Sequence, residues 1–218
     1  GKLAGKPVVA VITSMAQPLG THIGNALEVK DAIDVLAGRT QGDLLEISLL
    51  LGSHMLVLAE KAKTLPEARA MLENALSSGT GLRKLAEMIA AQGGDPRVVE
   101  DLSLLPQAAV KRVMRAETAG YLSAMDTTAL GMAAQRMGAG RAKKSDMLDY
   151  SVGYVLHVRL GDEVTEDTPL ATLYARNEAE AEEAEKAIRK ALTIAKEKPS
   201  VPPLWDAVVT AEGITYNR

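Results

Sequence analysis

The densest chemistry-bearing stretch of this 218-residue chain is Pro18-Leu19-Gly20-Thr21-His22-Ile23-Gly24-Asn25-Ala26-Leu27-Glu28-Val29. Its proline and glycines let main-chain carbonyls turn inward, and the helical pattern that follows supplies carboxylates. Oxygen-only donor sets of this kind suit hard cations. A plain strand-to-helix connection has the same signature, so both readings stand. A second candidate is Gly138-Ala139-Gly140-Arg141-Ala142-Lys143-Lys144. It has the glycines and bases of a phosphate cradle, but it lacks Gly-Lys-Ser/Thr and follows a helix instead of preceding one. It reads either as a loop stop with a solvated basic cluster or as a mobile loop that meets a neighbouring domain or an anionic ligand. The histidines, His22, His54 and His157, sit in different elements with no ligand spacing, so each is expected to be structural or on the surface. No residue acquires a catalytic or cofactor-binding role from spacing alone.

Gly161-Asp162-Glu163-Val164 followed by Pro169-Leu170-Ala171 resembles the strand–turn–strand rhythm of biotinyl and lipoyl carrier domains. Such carriers display a lysine at a tight hairpin, commonly between two methionines. No Met-Lys-Met occurs here, so the architecture is kept and the carrier chemistry is not.

Composition removes further classes. Lys+Arg 25 against Asp+Glu 28 leaves a formal charge of −3, with no basic field for nucleic acid or an anionic membrane. Cysteine is absent, which excludes thiolate metal sites, disulfides and cysteine nucleophiles. Phenylalanine is absent as well and aromatics reach 3%, so stacking platforms for single strands are not expected. The core must be built from aliphatic residues, alanine and nine Met. No stretch approaches the ~18 consecutive apolar residues of a membrane span, and no signal pattern opens the chain. The expected compartment is the cytoplasm.

The elements that must position these residues follow from hydrophobic period. Pro7–Thr13 is a continuous apolar, β-branched run, expected as a strand buried on both faces in a parallel sheet. From Asn25, expected as an N-cap, Ala26, Val29, Ile33 and Leu36 form a helical stripe that stops at Gly38. Asp43 to about Lys63 is apolar nearly all round and reads as a buried helix. Thr64-Leu65-Pro66-Glu67 is a capping box that starts a further helix ending near Gly79, and another runs from Leu82 to Gln92. After Pro106 the texture changes. β-formers fill 109–125, Asp126 caps a short helix over 129–137, strands are expected at 152–158 and 170–175, and a helix at 178–196. Glu182–Lys186 and Glu185–Arg189 pair on that last helix. The tail from Pro199 reads as an extended surface strap. The fold class is thus α/β: residues 1–106, a partial α/β domain of one strand plus helices, then residues 107–218, a mixed α+β C-terminal subdomain.

Ile12-Thr13-Ser14-Met15-Ala16-Gln17-Pro18-Leu19-Gly20 and Gly24-Asn25-Ala26-Leu27-Glu28-Val29-Lys30-Asp31-Ala32-Ile33 resemble the pyrimidine-nucleoside phosphorylase family. Further ordered matches are Leu51–Met55, Ala91–Asp95, Gly138–Lys144, Val152-Gly153, the glycine, aspartate and valine within 161–164, and Pro169–Leu173. The resemblance spans about residues 8 to 196. Thymidine phosphorylase is the close relative, but Pro18-Leu19 and Ala26-Leu27-Glu28-Val29-Lys30 fit the pyrimidine-nucleoside branch better.

The resemblance implies a pentosyltransferase that reversibly converts a pyrimidine nucleoside and phosphate to free base and ribose or deoxyribose 1-phosphate. It implies a homodimer, each subunit with a small helical domain and a large α/β domain around a cleft. It also implies a monovalent-cation site, usually potassium, to which this chain brings the carbonyls of Leu19 and His22 and the carboxylate of Asp31, the remaining ligands coming from the upstream part of the enzyme. Asp31 stands where the family has Glu, His22 replaces a small residue, and Ser14 stands where Asp is usual. The family's phosphate loop, catalytic histidine and pyrimidine-gripping residues lie upstream of the matching region, and none of those motifs occurs here. With no initiator Met before Gly1, the chain is expected to be the C-terminal part of such an enzyme, completed by an N-terminal part of the same enzyme. The alternative is a non-catalytic binding or assembly module with the phosphorylase tail fold.

Overall fold

The computed structural model describes residues 1–217, and of Lys2 the main chain alone. In chain order the elements are β1 (Ala10–Thr13), β2 (His22–Ile23), α1 (Asn25–Leu36), α2 (Asp43–Leu58), α3 (Leu65–Ser77), α4 (Thr80–Ala91), β3 (Val110–Arg115), β4 (Gly120–Met125), α5 (Thr127–Ala134), β5 (Gly153–Leu156), β6 (Glu163–Val164), β7 (Pro169–Ala175), α6 (Glu178–Ala191), β8 (Leu192–Ala195), β9 (Trp205–Val209) and β10 (Ile214–Tyr216). Helices and three sheets make a mixed α/β protein, as the residue pattern predicts.

The contacts divide the chain into two compact units. One comprises 1–14, 33–99 and the tail from Pro202 onward; the other comprises 15–32 and 100–201. This division is interleaved, unlike a single cut near Pro106. Residues 15–32 supply the edge strand of a sheet whose other members come after residue 100, and the tail completes the sheet of β1.

In the first unit the sheet order is β1-β9-β10. Ala10 pairs Val209 and Ile12 pairs Ala207, antiparallel. The expected doubly buried parallel strand is therefore corrected: β1 is an antiparallel edge whose residues alternate, with Ile12 49% exposed. A short apolar run states a strand but not its partner, and here the partner lies almost 200 residues downstream. The extended tail holds two strands, β9 and β10. α2 is shorter than expected, and of its residues Ile47, Leu49 and Ser53 alone are buried. The capping box at α3 forms: Thr64 Oγ1 accepts the Glu67 amide at 3.3 Å, while Glu67 Oε2 accepts the amide of Lys63 at 2.8 Å.

The second unit holds a four-stranded sheet, β2-β5-β7-β3, and a three-stranded one, β6-β4-β8, with every strand pair antiparallel. Its core includes Met114, Leu122, Leu130, Tyr154, Leu156, Leu173 and Ile188. Tyr154 is wholly buried, and its hydroxyl donates to the Leu130 carbonyl at 2.8 Å. That burial pushes the phenol well above its ordinary value. α6 turns Ala181, Ala184, Ile188 and Ala191 to the core, a spacing of three and four that puts all four on one face of the helix. It is capped by Asn177, whose side chain accepts the Glu180 amide at 2.9 Å.

The expected helix over 178–196 ends at Ala191, and Leu192–Ala195 becomes β8 against β4. No glycine or proline marks that stop, because the β-branched Thr193 and Ile194 follow the demand of a strand partner. Glu185 also lies less in solvent than expected. It accepts from Arg189 at 2.9 Å and from Arg112 of β3 at 2.7 Å, tying the helix to the sheet.

Candidate functional site

Residues 15–31 form the site, and the second unit holds them through backbone contacts. The Arg159 guanidinium donates to the Pro18 carbonyl at 2.6 Å, and the Leu160 amide donates to Gln17 Oε1 at 2.9 Å. Thr127 Oγ1 donates to the Met15 carbonyl at 3.2 Å. The turn containing Leu19 and Gly20 is thereby fastened before the chain enters β2.

β2 is an edge strand, and its hydrogen-bond phase decides where its carbonyls point. The Leu156 amide donates to the Thr21 carbonyl at 2.8 Å, and His22 is opposite Val155. Antiparallel pairs alternate between bonded and non-bonded. Thr21 is in a bonded pair, so the His22 peptide groups face away from β5 along the outer edge of the sheet. Immediately after β2, Gly24 and Gly153 meet back to back at φ 133 and 147. A Cβ on Gly153 would lie 2.1 Å from the Ile23 carbonyl oxygen, so this crossing requires glycine.

α1 then brings Asp31 against the His22 ring. Asp31 is 3% exposed, and its Oδ1 lies 3.4 Å from His22 Nδ1. Thr21 Oγ1 is 3.0 Å from the same ring nitrogen. The structure thus brings His22 and Asp31 together, whereas Leu19 remains 38% exposed on the adjoining turn. A carboxylate withdrawn from water calls for a positive partner, which the His22 ring supplies when protonated and which a hard cation could also supply. Among the described residues no group of three or more His, Cys, Asp or Glu gathers as a metal centre. The donors that fit are oxygens: the Asp31 carboxylate and main-chain carbonyls.

Asn25 does not act as the N-cap expected for α1. Its amide Nδ2 donates to the Ala139 carbonyl at 2.8 Å, and Glu28 Oε1 accepts the Gly24 amide at 3.3 Å in the capping role. The Ala26 amide donates to the Tyr150 carbonyl at 3.0 Å. The first turn of α1 therefore holds both ends of the 139–150 loop. Nothing in the one-dimensional pattern of Asn25 pointed to a partner 114 residues away.

That loop is folded on itself. Gly138 adopts φ 107 and its carbonyl accepts the Asp149 amide at 3.0 Å. Asp146 Oδ2 accepts the amides of Ala142 and Lys143 at 3.1 and 2.8 Å. Two N–H groups that a phosphate cradle would use are thus already held by a carboxylate of the same loop. Arg141, Lys143 and Lys144 remain exposed at its tip.

The other histidines make contacts of their own. His157 Nε2 lies 2.7 Å from Thr172 Oγ1, with its pKa lowered by burial and by Lys111. His54 lies in α2, where burial lowers its pKa and Nε2 has no hydrogen-bond partner among the described residues.

Residues 121–195 match the family model described as pyrimidine nucleoside phosphorylase C-terminal domain. The chain is 49% identical over 178 residues to a pyrimidine-nucleoside phosphorylase of Bacillus subtilis, covering 82% of this chain and 41% of the relative. It is 48% identical over 178 residues to that of Geobacillus stearothermophilus, with the same coverage, 82% and 41%. To that of Staphylococcus aureus it is 41% identical over 210 residues, covering 96% of this chain and 48% of the relative. The chain spans less than half the length of these curated relatives. The resemblance read from the ordered motifs is borne out over most of the chain.

Proposed function

We propose, for a chain similar over most of its length to pyrimidine-nucleoside phosphorylases, that it forms the C-terminal part of such an enzyme. The reaction is the reversible phosphorolysis of a pyrimidine nucleoside to free base and ribose or deoxyribose 1-phosphate. The single observation that carries this reading is the identity of 41–49% with relatives so named. Within that enzyme the chain's contribution is scaffolding and electrostatics. It presents an oxygen-lined edge at His22 and Asp31, with Leu19 on the turn before them, as a monovalent-cation site, potassium being the ion of choice. It also offers Arg141, Lys143 and Lys144 on a closed loop beside that edge. Bound there, the ion supplies a fixed positive charge; the residues themselves hold the strand-to-helix junction in place. Phosphorolysis passes through a cationic sugar and a departing base anion, so positioned charge and alignment carry most of the catalysis. We further read the enzyme as a homodimer, on the resemblance alone, and assign it to the cytoplasm, in keeping with the absence of cysteine and of any helix among the described residues long and apolar enough to cross a membrane.

A chimera tests the assignment. This chain is joined behind the N-terminal segment of the Bacillus subtilis relative that it does not match, and base release from uridine and thymidine is measured with phosphate. The chimera is expected to turn over while the 218-residue chain alone does not. A chimera that folds and dimerises but releases no base overturns the assignment. Turnover by the chain alone overturns its scaffolding role and gives it catalytic groups of its own.

A further inference from the structure

Two hydrogen bonds to the loop 139–150 start from adjacent residues of α1. Asn25 Nδ2 reaches the Ala139 carbonyl at 2.8 Å at one end of the loop, and the Ala26 amide reaches the Tyr150 carbonyl at 3.0 Å at the other. Residues 25 and 26 lie between His22 and Asp31, the groups of the oxygen-lined edge. The same junction is pinned underneath by the Gly24–Gly153 contact, where no side chain could be inserted. The loop itself is a closed body: the Asp149 amide donates to the Gly138 carbonyl, the Gln135 side-chain Nε2 donates to the Arg141 carbonyl at 2.6 Å, and Asp146 gathers the amides of Ala142 and Lys143. A closed loop attached at both ends to one helical turn moves with that turn, because packed and hydrogen-bonded pieces shift as units.

We propose that Asn25 is a positioning residue that couples the His22–Asp31 edge to the basic loop, so that a monovalent cation bound at the edge orders Arg141, Lys143 and Lys144. This rests on the cation reading of the preceding section and adds to it a direction of influence. The Asp31 carboxylate and the His22 carbonyl would hold the ion, residues 22–31 would then be restrained as one piece, and the loop anchors are inside that piece. Without the ion, the buried carboxylate is held by His22 and the turn opens more often, carrying the loop ends with it. The linkage is reciprocal: whatever releases the loop also weakens the ion.

Limited trypsin digestion of the chimera described above, in which the N-terminal segment supplies the rest of the enzyme, reads this without any assay of activity. Cleavage after Arg141, Lys143 and Lys144 is followed by mass spectrometry in potassium chloride and in choline chloride at equal ionic strength, with Lys61 as internal reference. Opening of the loop controls cleavage there. Potassium is expected to slow cutting in the loop about fivefold, at the lower end of ordinary coupling. In Asn25→Ala the loop is expected to be cut at one rate in both salts. Thr64→Ala, which weakens a cap in the other unit, should retain the full protection. Thallium(I) NMR on the same samples measures ion binding and its loss in Asp31→Ala. If thallium binds through Asp31 but potassium leaves loop cleavage unchanged, the coupling is overturned and the cation site stands. If Asn25→Ala keeps the protection, Asn25 is not the coupler. If no ion binds through Asp31, the cation reading itself fails, and the coupling with it. Should Asn25→Ala not fold, the wild-type comparison in the two salts alone decides.

Discussion

The helical stretch 43–91 and the sheet-rich stretch 110–195 reach stability by different routes. In the first, local signals write the structure: a capping box opens α3, and Gly79 at φ 68 opens α4. Yet α4 buries no residue, α3 buries Ala68 alone, and Met55, Met71 and Met88 remain exposed. In the second, a continuous core joins β3, β4, β5, β7, α5 and α6. Helices can form on neighbours three and four residues away, whereas strands require partners brought from a distance. The first stretch is therefore the more legible and the less buried; the second is the reverse.

The sharpest way to break this contrast is to truncate a side chain in each stretch. Leu173→Ala, at a wholly buried position, should cost about 2–5 kcal/mol, whereas Met88→Ala, 51% exposed, should change stability by no more than about 0.5 kcal/mol. Urea unfolding of both variants checks it, and equal losses would erase the distinction. Gly153→Ala comes next. Its Cβ would collide with the Ile23 carbonyl oxygen at 2.1 Å, in a conformation of φ 147, and about 1–3 kcal/mol should be lost. Thallium binding should fall in the same variant, since β2 and α1 separate from β5 there.

A smaller effect is expected in the helical stretch. Thr64→Ala should lose about 1 kcal/mol, with helix α3 fraying first in hydrogen exchange. The smallest is a pH effect at the α6–β3 tie. Burial alone would raise the Glu185 carboxyl, but hydrogen bonds from Arg189 and Arg112 outweigh it and hold the group below the ordinary glutamate value of 4.5. A depressed carboxyl contributes stability above its unfolded pKa and loses it as pH falls through the folded one. Thermal melts between about pH 6 and pH 3 should therefore show a steeper acid loss in wild type than in Glu185→Gln. Parallel curves would mean that the guanidinium contacts contribute nothing net.

How far the sequence could be read varies with the range of each interaction. The α3 start at Thr64 and the Asp126 cap of α5, with its carboxylate accepting the Ala129 amide at 2.9 Å, are local events and were legible. The end of α6 was not, because Leu192–Ala195 obeys its pairing with Met125, Ala124, Leu122 and Tyr121 and not its own period. Asn25 was misread for the same reason: its amide answers to Ala139 and not to the helix it opens. The antiparallel partner of β1 was equally invisible, since an apolar run has no label for direction.

By itself, the sequence determined the mixed α/β class, the helix starts, the exclusion of thiolate chemistry, and a resemblance carried by ordered motifs. Those depend on residue identity and on spacings of a few positions. Tertiary structure alone decided that the His22 peptide faces away from β5 and that the basic loop hangs from the first turn of α1. Each of those depends on strand phase or on hydrogen bonds between residues more than a hundred positions apart. Such bonds are set by the packing of the whole and leave no period in the chain.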